Sequence, residues 1–227
     1  MTALQRPCRL FLFDLDGTLI DSRADIAQSL NRALARMGLS SLSESQIGDF
    51  VGDGVHMLLE RALREATGAN PGNELTQEGV AVFREEYGRH LLDNTRLCPH
   101  AGEVLDRLSW AEFAVITNKP EGFSRRILEG LGLAKRFCAV LGGDSVENRK
   151  PHPEPLLKVM GMCGSDPSET AMVGDSAVDM EAGKAAGVTT CAVLGGYRSE
   201  AELRATGCDL IIKDLLELPA LFSPPER

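Results

Sequence analysis

Apolar residues in this chain fall into two rhythms, and the change between them divides the sequence. Leu10-Phe11-Leu12-Phe13 is a short unbroken apolar run, as expected of a strand buried on both faces of a parallel sheet. Comparable runs recur at residues 113–116, 138–141, 170–173, 189–194 and 209–212. Helical patterns lie among them at residues 121–130, 153–162, 177–186 and 215–222, the last interrupted or restarted at Pro219. Strands alternating with helices predict a parallel, doubly wound α/β sheet with right-handed crossovers.

Residues 22–93 read differently. Ser22 at an N-cap, with Asp25 three residues later, approximates a capping box. Ile26, Leu30, Leu34 and Met37 follow at helical spacing, and Gly38 closes the helix. Ser43 and Gln46 repeat the capping-box pattern before Ile47. A glycine-hinged loop, Phe50-Val51-Gly52-Asp53-Gly54, leads into a helix bearing Val55, Leu58, Leu59 and Leu63, and a further helix is expected over residues 76–92. No strand-like run interrupts this stretch. The expected organisation is therefore an α/β core from residues 1–20 and 94–227, with an all-helical cap domain inserted at residues 21–93.

Composition narrows the function classes. The chain has 227 residues, 43% hydrophobic and 25% charged, which suits a globular protein with a substantial core. It contains no apolar run near membrane-spanning length, and MTALQRPC lacks the apolar centre of a signal peptide, so the expected location is cytoplasmic. A formal charge of −9 with no basic stripe argues against nucleic acid. Such acidity also opposes anionic ligands, so a phosphate site would need strong local positive charge. The six cysteines are scattered, with no C-x-x-C pair, and several sit in apolar runs where a thiol behaves as a small hydrophobe. Neither structural zinc nor disulfides are expected.

Candidate chemistry collects where the strands end. The first apolar run stops at Asp14, with Asp16, Gly17 and Thr18 following; later runs stop at Thr117-Asn118 and Gly174-Asp175. Alone, Asp-x-Asp-Gly is equally an Asx turn or a weak cation loop, although the EF-hand spacing is missing. Strand ends on one edge of a parallel sheet converge, however, so these groups should share a cleft. Lys150 opens a helix nearby, where a cation beside a positive dipole end suits an anion. Asp14, Asp16, Asp175 and Asp179 brought together would repel one another unless a cation were present. All-oxygen ligands favour Mg²⁺ over zinc. A carboxylate nucleophile, a divalent cation, a Lys and a Thr hydroxyl together describe phosphoryl transfer.

These motifs resemble the haloacid dehalogenase superfamily, specifically its phosphatases with a helical cap inserted after the first motif. Four motifs carry the resemblance in order: Asp14-Leu15-Asp16-Gly17-Thr18, Thr117-Asn118, Lys150-Pro151, and Gly174-Asp175-Ser176 with Asp179. The resemblance implies a Rossmann-like core, with Asp14 as nucleophile and Asp16 as general acid and then base. It gives Gly17, Thr117, Asn118 and Lys150 to the substrate phosphate, and Asp14, Asp175 and the Asp16 carbonyl to Mg²⁺. Asp179 would orient Lys150 or a metal-bound water. An Asp at position 16 points to a phosphatase or phosphomutase rather than a dehalogenase.

Residues 50–63 are similar to the cap loop of phosphoglycolate phosphatases, which nominates Gly52, Asp53, Gly54 and Arg61 as substrate contacts. The favoured substrate is 2-phosphoglycolate. Alternatives are a sugar or amino-sugar phosphate, pyrophosphate, or a β-phosphoglucomutase-type mutase reaction. The expected partner is a small phosphorylated metabolite, with no nucleic acid or membrane, acting on a monomer or homodimer. Two departures from the family pattern are the short connection Leu108-Ser109-Trp110-Ala111-Glu112 and the stretch Leu194-Gly195-Gly196-Tyr197-Arg198.

Overall fold

A computed structural model describes residues 5–225. Six strands form one sheet: β1 (Leu10–Phe13), β2 (Glu112–Ile116), β3 (Ala139–Leu141), β4 (Thr170–Gly174), β5 (Thr189–Val193) and β6 (Leu210–Ile212). Their spatial order is 3-2-1-4-5-6 and every pairing is parallel. All four residues of β1 are buried, as its unbroken apolar run requires of a strand covered on both faces. The chain therefore has the expected α/β architecture with an inserted helical unit.

The first strand in sequence is thus central in space. Phe13 is in register with Val115 on one side and Val173 on the other, so the residues after β1, β2 and β4 emerge beside one another. The strand order reverses at β1, the kind of point where open α/β sheets leave a crevice beyond their carboxyl ends.

The chain divides into two compact units, one comprising Asp21–Arg96 and the other the sequence on either side of it. The first contains α1 (Arg23–Arg36), α2 (Glu44–Phe50), α3 (Val55–Thr67) and α4 (Asn73–Arg89). The capping box of Ser43 and Gln46 forms as its spacing predicts. That of Ser22 and Asp25 does not, because Ser22 makes no side-chain cap bond. Asp25 is instead buried and accepts from the Asn94 and Thr95 backbone N–H groups, the Asn94 amide and the Thr95 hydroxyl, at 2.7–3.0 Å. Several donors compete for that carboxylate, and together they outweigh one helix-end contact. The fourth helix begins three residues before Thr76, since Gly72 adopts the extended conformation of an N-cap. Its interior is built on Phe83 and Tyr87, whose rings stack with centroids 5.4 Å apart.

In the other unit, α5 (Ala101–Arg107), α6 (Glu121–Gly130), α7 (Glu154–Cys163), α8 (Ala177–Ala186) and α9 (Glu200–Ala205) alternate with the strands. Helices α6 and α8 have the boundaries their periodicity predicts, whereas α5 and α9 are not anticipated. For α9 a local signal exists, a capping box formed by Ser199 and Glu202. The last predicted helix splits into a 3₁₀ turn, Leu215–Glu217, and a short α10, Leu218–Leu221. Phe222–Ser223 then pairs in parallel with Arg6–Pro7, and Phe222 meets Phe11 edge-on.

Asp25 supplies a stability test. Burial raises its pKa, but the bonds from Thr95 and Asn94 outweigh that and hold it below the ordinary aspartate value. Asp25→Ala should cost about 2–4 kcal/mol at neutral pH, because the buried Thr95 donors and those of Asn94 lose their common acceptor. With its folded pKa depressed, the carboxylate contributes stability above the unfolded pKa of about 4 and loses it as pH falls further. The difference between wild type and Asp25→Ala in urea unfolding should therefore shrink in acid. A neutral-pH cost under about 0.5 kcal/mol would contradict the assignment.

Candidate active site

Asp14 is the first residue beyond β1, and its N–H donates to the Val173 carbonyl at 2.9 Å, extending the sheet by one bond. Its carboxylate meets Lys150, which reaches back from the loop before α7. The Lys150 ammonium donates to Asp14 Oδ1 at 2.7 Å, Asp179 Oδ1 at 2.5 Å and the Ile116 carbonyl at 2.7 Å. All three ammonium hydrogens thus have acceptors, and Lys150 is buried. Burial would lower its pKa, yet Asp14 and Asp179 overcome that and keep the amine charged.

Asp179 stands in the first turn of α8. Its second oxygen accepts from the Ser176 N–H at 3.1 Å and the Ser176 hydroxyl at 2.5 Å. That capping box fixes the carboxylate that in turn fixes Lys150. Asn118 ties down the same loop, its amide donating to the Lys150 carbonyl at 3.0 Å. Thr117 is buried, and its hydroxyl accepts from the Lys119 N–H at 3.2 Å.

Asp175, after β4, is buried and accepts from the Tyr197 N–H at 2.6 Å, with the Thr18 hydroxyl at 3.4 Å. Two glycines make room for it. A Cβ at Gly17, which also has φ of 85°, would overlap the Asp175 carboxylate, and so would a Cβ at Gly196. Gly174 does the same for Asp179. Burial, reinforced by Asp14 and Asp179, pushes the Asp175 carboxyl well above the usual range. Asp14 is pushed up to about 7 by burial, with Asp179 and Asp16 adding to the shift and Lys150 opposing it.

The carboxylates of Asp14, Asp175 and Asp179 each offer an oxygen within 4.8 Å of the others. Three buried acids share one lysine, leaving an excess of negative charge that a hard divalent cation would neutralise. The donor set fits such an ion, being all oxygen with no His or Cys.

Asp16 points elsewhere. Both its oxygens accept from the Lys119 ammonium, at 2.8 and 2.9 Å. Sequence reasoning assigns Lys119 nothing, although it directly follows Thr117-Asn118; Ser176, Gly196 and the Tyr197 N–H are likewise not nominated. Its place in the polar run Thr117-Asn118-Lys119 that follows a buried strand end is the one local signal that could have flagged Lys119.

The four nominees in the inserted unit form a cluster of their own. Arg61 pairs with Asp53 at 2.5 Å and donates to the Phe50 carbonyl at 3.1 Å. Gly52 and Gly54 take φ values of 120° and 86°, which turns the chain tightly between α2 and α3.

A family model described as haloacid dehalogenase-like hydrolase matches residues 11–193. A phosphoglycolate phosphatase of Aquifex aeolicus is 38% identical over 191 residues, covering 83% of this chain and 86% of that one. A phosphoglycolate phosphatase of Chromobacterium violaceum is 38% identical over 208 residues, covering 91% and 92% respectively. The crystal structure of a predicted phosphoglycolate phosphatase from Haemophilus somnus superposes with a TM-score of 0.87 at 32% identity, covering 93% of this chain and 96% of that one. Among the described residues no helix is long and apolar enough to cross a membrane.

A cation at the acidic cluster should show in stability without any assay of turnover. Saturating Mg²⁺ at about 100 times its Kd would add ~2.7 kcal/mol, a rise in Tm of several degrees. Asp175→Asn should abolish most of that rise. An equal Mg²⁺ response in wild type and Asp175→Asn would place the ion elsewhere.

Proposed function

The chain belongs to the haloacid dehalogenase-like hydrolase family, and from that premise we propose that it hydrolyses 2-phosphoglycolate through a phosphoryl group carried on Asp14. It is a phosphoric monoester hydrolase, the class that its phosphoglycolate phosphatase relatives share. The observation that carries the mechanism is the buried Lys150 ammonium, held between Asp14 and Asp179 beyond the central strand.

Lys150 binds Asp14 through Oδ1, which leaves Oδ2 to attack phosphorus. Its charge offsets that of the incoming phosphoryl oxygens, and Asp179 keeps it in place. Thr117, the Asn118 N–H and the glycine turn at Gly17 would hold those oxygens. Asp16 would give a proton to the leaving alkoxide and then take one from the water that cleaves the aspartyl phosphate. Lys119 holds the Asp16 carboxylate by both oxygens, so this group is fixed rather than free to rotate. When bound by Asp14, Asp175 and the Asp16 carbonyl, Mg²⁺ would neutralise the excess carboxylate charge and polarise the phosphate. The identity of the ester rests on the relatives and on the loop of residues 50–63, where Gly52, Asp53, Gly54 and Arg61 are the proposed substrate contacts.

The test is phosphate release from a panel of small esters, with Mg²⁺ and with chelator. Release should peak on 2-phosphoglycolate and vanish with chelator. Asp14→Asn should lose about 10⁴-fold or more, since the nucleophile itself is gone. Asp16→Asn should lose roughly 10²–10⁴-fold. Wild-type-like turnover by Asp14→Asn would end the covalent mechanism. A peak on a sugar phosphate or pyrophosphate would keep the mechanism and overturn the substrate, and turnover requiring a bisphosphate primer would indicate a mutase.

A further inference from the structure

Six free cysteines lie among the described residues, and two of them meet. The sulfur of Cys138, directly before β3, stands 3.0 Å from that of Cys163, the last residue of α7. A disulfide bond is about 2.05 Å long, so the two atoms are only about 1 Å beyond bonding distance. Neither residue sits on a loose segment. The Cys138 N–H donates to the Phe113 carbonyl at 2.8 Å, anchoring it to β2. The Cys163 carbonyl accepts from Arg9 at 3.3 Å, and its side chain packs against a core cluster that includes Leu156, Val159 and Met160. Cys138 is exposed and Cys163 half-buried, which gives a small reagent access from solvent.

We infer that Cys138 and Cys163 form a reversible disulfide, made by exchange with a low-molecular-weight disulfide, that staples together the two ends of the segment carrying Lys150. The cysteines are 25 positions apart, and Lys150 falls between them. In the first step the Cys163 sulfur, having lost its proton, attacks one sulfur of the reagent and expels the other half as thiolate. In the second, the Cys138 sulfur gives up its proton, attacks Cys163 and displaces the remaining half. Two protein thiols are oxidised by two electrons, one reagent disulfide is reduced to two thiols, and the two protons end on those thiols. Burial and the adjacent Cys163 sulfur push the Cys138 thiol up to about 12, which makes it the poorer first nucleophile; it reacts second, once the mixed disulfide on Cys163 stands beside it.

Bond formation needs the two sulfurs to approach by only about 1 Å, so β3, α7 and the Lys150 loop are expected to keep their places. The staple therefore acts on the unfolded chain, whose freedom it reduces, and not on turnover.

Full-length protein incubated with glutathione disulfide, alkylated and digested without reductant should yield a Cys138–Cys163 linked peptide, lighter by two hydrogens than its parts. Tm should rise by roughly 5–10 °C and fall back with dithiothreitol. Cys138→Ser and Cys163→Ser should each fold with the reduced wild-type Tm and show neither the peptide nor the rise. Phosphate release by the oxidised enzyme should stay within about twofold of the reduced. Absence of the linked peptide, pairing of either cysteine with a different one, or a tenfold loss of turnover on oxidation would overturn the inference.

Discussion

One buried ammonium group organises the site. Lys150 satisfies its three hydrogens on Asp14, Asp179 and a main-chain carbonyl, and each acceptor comes from a different strand end or helix start. A buried lysine is costly unless every hydrogen is bonded and its charge is matched. Here the match is more than complete, because Asp175 lies in the same cluster and leaves the carboxylates in excess. That excess is what a hard divalent cation would neutralise, and only with it neutralised could a charged phosphate be received.

The arrangement depends on sheet order more than on any single residue. Putting the first strand at the centre brings the ends of β1, β2 and β4 side by side. Glycines then allow the carboxylates to approach the backbone, Gly17 and Gly196 around Asp175 and Gly174 around Asp179. Ser176 and Asp179 show how a helix cap can serve chemistry, since the bonds that start α8 also immobilise the partner of Lys150.

The inserted unit follows another logic. Its closing interaction is the buried Asp25, whose acceptor oxygens gather donors from Asn94 and Thr95 some seventy positions away. Such a carboxylate ties the beginning of the insert to its end. Within the insert, Arg61 of α3 is braced by Asp53 and the Phe50 carbonyl, so its guanidinium is held against the loop between α2 and α3.

Much of the fold was legible in the sequence because its signals are local. Strand β1 and helices α6 and α8 have the limits that apolar runs and helical periodicity mark. The strand-end motifs likewise announce Asp14 and Asp175 as neighbours, since parallel strand ends converge, and Lys150 is expected beside them from the start of a helix. What local pattern could not decide was who partners whom over long separations. Asp25 reads as part of a helix cap and is instead the insert's closing acceptor; Lys119 carries no assignment from the sequence and grips Asp16 from 103 positions away. Cys138 and Cys163 read as scattered small hydrophobes, and tertiary packing sets their sulfurs 3.0 Å apart. Hydrophobic period and turn chemistry act over a few residues, so local sequence marks the strongly patterned elements, while α5 and α9 escape it and α4 starts three residues ahead of its expected limit. Which polar groups then meet is decided by strand order and helix packing, and those exist only once the chain has folded.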